Sequence, residues 1–167
     1  MRVGRRSRPE VEVAAGERVL AWAALADGGW VVGTRDALYL PGARLPWERV
    51  QAADWHPDDD RLRVSEVGTW GEPRPEHALV ISGSAAKDAD RLLQLVRERV
   101  TASVLLSRHV AVTGRRGVRV VARRSPSGRS EVDWIYEYDD GIDPDDPFVR
   151  AAAETALAAA KADVGML

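Results

Sequence analysis

Apolar and polar positions alternate in short runs from Arg18 to Ser82, then change to a three-and-four spacing from Ala85 to Ala102. The first period is that of strands with one buried face, and the second is that of a helix with one apolar stripe. Arg18 to Ala26 is apolar and ends at Asp27-Gly28-Gly29, which supplies the positive φ angles of a tight hairpin before Trp30-Val31-Val32-Gly33 resumes a strand. Thr34-Arg35-Asp36 turns the chain into Ala37-Leu38-Tyr39-Leu40, and Pro41-Gly42 stops it. Leu45-Pro46-Trp47 and Val50 to Trp55 follow as short strands. Beyond the turn at His56 to Asp60, Arg61-Leu62-Arg63-Val64 alternates charge with bulk, so that strand has one wet face. An irregular Gly- and Pro-rich connection, Gly68 to Pro75, leads to the last strand of the series, His77 to Ser82.

Ser84 is placed to cap a helix in which Ala89, Leu92, Leu93, Val96 and Val100 form one face. Three more strands follow, Val104 to Thr113, Gly117 to Arg124 and Ser130 to Tyr138, separated by Gly114-Arg115-Arg116 and Ser125-Pro126-Ser127-Gly128, and they read as an antiparallel meander. Pairing Val120 with Trp134 would put Val118, Val120, Ala122, Val132, Trp134 and Tyr136 on one face, with Arg123 opposite Glu131 and Val121 opposite Asp133 on the other. Asp143-Pro144-Asp145-Asp146-Pro147 is a helix start, since carboxylates suit the positive end of a helix and proline its first turn. The helix from Phe148 to about Val164 buries Val149, Ala153, Ala156, Leu157 and Ala160.

The fold class expected is α+β, in three parts: an Arg-rich flexible arm over residues 1–17, a sheet-and-helix domain over 18–102, and a βββα segment over 103–167 that packs on it. The first half resembles the bacterial pleckstrin-homology-like family. The residues carrying the likeness are the strands around Asp27-Gly28-Gly29, the segment Thr34-Arg35-Asp36-Ala37-Leu38-Tyr39, the segment Leu45-Pro46-Trp47-Glu48-Arg49-Val50, and the helix from Ala85 to Ala102. The resemblance implies a bent antiparallel β-barrel or sheet capped by a C-terminal helix, and a binding module without catalytic residues. The lipid-binding version of that family uses basic side chains in the first hairpin loop, where this chain has Asp27-Gly28-Gly29, so inositol-phosphate binding is not expected.

Composition changes this picture only at the margins. With 45% of its 167 residues hydrophobic, the chain has material for a core. It has no apolar run of about 18 residues and no secretory leader, which points to a cytoplasmic protein without a membrane span. Zero cysteines exclude disulfides and thiolate metal sites. Only Lys87 and Lys161 of the 24 basic residues are lysines, a bias of the kind a GC-rich bacterial genome imposes.

No catalytic motif is present, and no cofactor or metal is expected. His56, His77 and His109 lie on three separate segments, without the spacing of a zinc site. The acidic stretch Glu137 to Asp146 has oxygen donors but lacks the order of a calcium loop, so an enzyme using it is the third reading. Arg115, Arg116, Arg119 and Arg124, with Arg123, Arg129 and the arm, could meet phosphates of a nucleic acid or an anionic surface. Cross-strand carboxylates and a net charge of −2 oppose that second reading. The first reading is non-catalytic recognition of a protein partner, or self-association into a homodimer. Its candidate anchors are Trp70 and Arg74, in the stiffened loop between Gly68 and Pro75.

Overall fold

The computed structural model describes residues 9–68, 75–128 and 131–165, and it divides into two compact units, one ending at Thr101 and the other beginning at Ala102. The fold is α+β. In the first unit, β1 (Ala21–Ala24), β2 (Trp30–Gly33), β3 (Ala37–Leu40) and β4 (Ala43–Pro46) form one antiparallel sheet in chain order. A second antiparallel sheet holds β5 (Val50–His56), β6 (Arg61–Glu66) and β7 (Glu76–Val80), and α1 (Ala86–Ala102) follows. The sheets stay open rather than closing into a barrel. They touch where Leu25 bridges Ile81, with Ala26 N–H donating to the Val80 carbonyl and Ser82 N–H to the Ala24 carbonyl.

The first hairpin forms as its turn residues dictate. Gly28 has φ +95°, and the Asp27 carboxylate accepts the Gly29 N–H at 3.1 Å. One segment departs from the expected strands. β4 ends at Pro46, and Trp47–Arg49 is a single 3₁₀ turn that carries the chain into the second sheet. The reason is burial: Trp47 is fully enclosed, and its indole N–H reaches the Thr34 carbonyl at 3.0 Å, which an extended Trp47 continuing β4 would not be turned to meet.

The inner faces of both sheets and one stripe of α1 share a core that includes Leu38, Trp47, Val50, Leu62, Val64, Leu92 and Val96. Arg63 between Leu62 and Val64 is exposed, as period two requires. Ala89, Leu92 and Val96 are buried on α1, with Leu93, Leu95 and Val100 packed beside them. The helix sits close on β2, where a Cβ on Gly33 would come within 2.6 Å of Leu95 Cδ2. The backbone of Ser84 lies in a short 3₁₀ turn ahead of α1, and its side chain, read as a cap, is outside the described residues.

The arm read over residues 1–17 needs correction in its second half; residues 1–8 lie outside the described residues. Val11, Val13 and Val19 pack with Trp22 and Trp30 against Val32, Ala37 and Tyr39, so β3 is buried on both faces. Glu17 holds the segment down. Its side chain is 4% exposed, accepts from Thr34 Oγ1 at 2.8 Å and from the Tyr39 hydroxyl, and pairs with Arg44 at 3.1 Å, while Ala14 N–H donates to the Tyr39 oxygen at 2.9 Å. Two valines sufficed because the sheet offered them an apolar face and Glu17 offered a polar latch.

In the second unit β8 (Val104–Thr113), β9 (Arg116–Arg123) and β10 (Asp133–Tyr138) form an antiparallel meander ordered β10-β9-β8, and α2 (Pro147–Gly165) packs on β8 and β9. The expected β9–β10 register is corrected by two residues. Val120 faces Tyr136, Arg123 faces Asp133, Arg119 faces Glu137 and Val121 faces Ile135. A shift of two preserves parity, so Val118, Val120, Ala122, Trp134 and Tyr136 keep one face; Val132 lies before the strand. Asp146 caps α2 through Phe148 N–H at 2.8 Å, with Pro147 in the first turn. Val149, Ala153, Ala156 and Ala160 are buried, and Leu157 packs beside them.

Two outcomes follow. Val96→Asp places an unpaired carboxylate in the first core at a cost on the order of 4 kcal/mol, so cooperative thermal unfolding of that unit should be lost or strongly lowered; a melt like that of the parent would contradict this packing. Burial works to raise the Glu17 pKa, but hydrogen bonds from Arg44, Tyr39 and Thr34 outweigh it and hold the carboxyl below its ordinary value of 4.5. A depressed carboxyl stabilises the fold above its unfolded pKa and loses that contribution as pH falls through the folded one. Glu17→Gln should therefore lower stability at neutral pH and flatten the loss of melting temperature below about pH 4.5; an unchanged acid limb would show that Glu17 is not a latch.

Candidate functional site

α2 buries positions 149, 153, 156 and 160, and the adjacent stripe, Phe148, Ala152, Thr155 and Ala159, runs at the same helical period along the side next to β8. Except for Phe148, that stripe carries only small side chains. The space beside β8 is therefore not filled, and a groove of about 520 Å³ opens between the stripe and Arg108 and Val110 of β8. Arg108 is the one charged side chain in its lining, and it pairs with the Asp163 carboxylate near the end of α2. At the other end of the stripe Phe148, the chain's single phenylalanine, is 70% exposed. A large apolar side chain is thus left in water beside an apolar groove.

β8 adds a second feature. Among the described residues it pairs with β9 alone, so its other edge offers unpaired backbone N–H and C=O groups. The ladder to β9 is irregular between Val104 and Leu106 and between Ala111 and Thr113, and regular from Leu106 to Ala111. At Gly117 the strands approach so closely that a Cβ would stand 1.8 Å from the Val110 carbonyl oxygen. The Gly117 N–H is taken by Asp139 Oδ2 at 2.8 Å.

The arginines expected to meet anions are dispersed. Arg115 lies in the β8–β9 turn, Arg116 reaches the Asp140 carbonyl at 3.4 Å, and Arg124 lies beyond the end of β9, its N–H bonded to the Ser103 carbonyl. Arg119 is on the face opposite α2, donating to Ser107 Oγ at 3.3 Å with Glu137 directly across the strand pair. On the same face His109 Nε2 is 2.7 Å from Asp139 Oδ2. The His109 bond, then the Gly117 N–H, holds the Asp139 carboxyl below its ordinary value. The surface is thus mixed in charge. Trp70 and Arg74 lie outside the described residues.

His56 is exposed at the end of β5, and His77 pairs with Glu66 at 2.8 Å. In the acidic stretch Asp143 accepts the Asp145 N–H and Asp146 caps α2, so these carboxylates serve the turn. No cluster of three or more His, Asp or Glu side chains with metal-holding geometry occurs among the described residues, and no helix there is long and apolar enough to cross a membrane. The chain matches no family model, no curated protein and no solved structure.

The mixed surface has a measurable consequence. Removing its carboxylates in Glu137→Gln with Asp139→Asn should leave Arg119 uncompensated and increase salt-dependent retention on heparin relative to the parent. Equal retention would mean that those carboxylates do not govern the hairpin's affinity for anions.

Proposed function

We propose that this chain is a non-catalytic recognition module that contacts a protein through the groove between β8 and α2. The observation that carries this reading is Phe148, exposed at the mouth of an apolar groove that the small residues of α2 leave unfilled. The first unit supports it as a scaffold. The resemblance of the sequence to the pleckstrin-homology-like family, mostly one of binding modules, favours recognition, and the order of two antiparallel sheets followed by a helix supports that reading. The cysteine-free composition and the arginine bias fit a setting in a bacterial cytoplasm.

Phe148→Asp alters a mostly solvated side chain, so thermal stability should stay within the small range of surface substitutions. In a native-host lysate the tagged parent should retain a bound protein that the variant loses about tenfold or more, the loss expected of an interface anchor. Identical profiles from parent and variant would contradict a contact at this groove.

A further inference from the structure

We infer that the groove's occupant is a second copy of this chain, joined edge to edge along β8 with two-fold symmetry; this rests on the groove being a contact surface. The surface carries both halves of a contact. The groove and the exposed Phe148 that could fill one are on the same unit, and both adjoin the unpaired edge of β8. A knob, a hole and a strand edge on one patch are the requirements of an isologous interface, in which the same patch serves both copies. Between the irregularities at its two ends, from Leu106 to Ala111, β8 has no proline and no lysine to block an approaching strand, and its one arginine is already paired with Asp163.

The geometry agrees with this pairing. Strands of one sheet lie about 4.8 Å apart, and α2 covers β8 and β9, so pairing β8 with its copy brings the two α2 helices to an interaxial distance of about 10 Å. That is helix contact distance, and the small side chains of Ala152, Thr155 and Ala159 permit it. Each Phe148 would then lie toward the other copy's groove.

Symmetry limits the register. With the axis perpendicular to the sheet both helices stay on one side, so opposed residues must have the same parity. Centring on Arg108 sets two arginines opposite each other. Centring on His109 instead sets Arg108 against Val110, Leu106 against Val112 and Ser107 against Ala111, and it uses most of the regular stretch. The irregularities at both ends keep the ladder short, so the contact is smaller than the standard interface of about 800 Å² per partner, and dissociation in the micromolar range is expected.

Sedimentation equilibrium on the full chain, from low to high micromolar, should show a reversible monomer–dimer equilibrium. Phe148→Asp and Thr155→Arg should each weaken it about tenfold or more without changing the melting temperature. Because the chain has no cysteine, His109→Cys offers a unique thiol that should oxidise to a disulfide dimer, whereas Lys87→Cys on α1 should not. A parent that stays monomeric throughout overturns the proposal, as does a dimer that both groove variants leave intact or one in which His109→Cys does not cross-link. A monomeric parent whose capture of a different protein still requires Phe148 would leave the groove a contact surface and remove self-pairing alone.

Discussion

The first unit depends on a corner built around Thr34. This fully buried residue gives its hydroxyl to Glu17, accepts the Ala37 N–H at Oγ1 at 3.1 Å, and offers its carbonyl to the Trp47 indole at 3.0 Å. Its N–H meets the Ala37 carbonyl, and Trp47 N–H meets that of Asp36. A buried polar group without such partners would cost on the order of 1–3 kcal/mol, so the corner forms complete or not at all. Once formed, it fixes three things: the residues before β1 lie against the outer face, the chain turns from the first sheet to the second at Trp47, and Gly33, one residue away, presents the flat spot on which α1 rests.

The second unit works by a different constraint. Its sheet is held by alternation and by the close approach at Gly117, and α2 covers it with a stripe made mostly of alanine. Alanines allow the helix close to the strands but give it little width. A helix of that kind buries one line of residues well and leaves the next line unfilled, and here that next line runs beside an open strand edge. The groove is thus a consequence of how the unit achieves its core.

Much of this was legible in the chain. The hairpin at Asp27-Gly28-Gly29, the α1 face through Leu92 and Val96, the meander and the capped start of α2 all follow from local chemistry, in which a turn residue or a repeat period has one natural outcome. The features that depart from the sequence expectation depend on distant partners. Val11 and Val13 look too few to order a segment until Tyr39 and Glu17 are placed beside them, and Trp47 reads as strand until the Thr34 carbonyl claims its indole. The β9–β10 register is set by the length of the connecting loop, to which parity is blind. The helix beginning at Phe148 is legible in the chain, but only the position of β8 shows that Phe148, Ala152, Thr155 and Ala159 form a groove wall.

Hydrogen exchange at two protein concentrations separates a second unit that makes the contact from a Thr34 corner that serves stability alone. If β8 pairs with its copy, amides from Leu106 to Ala111 and along α2 from Phe148 to Ala159 slow as concentration rises. The amides of Thr34, Ala37 and Trp47, already bonded within the first unit, keep one rate at both concentrations. Exchange at β8 that is independent of concentration, or slowing confined to the first unit, would contradict self-pairing through the second unit.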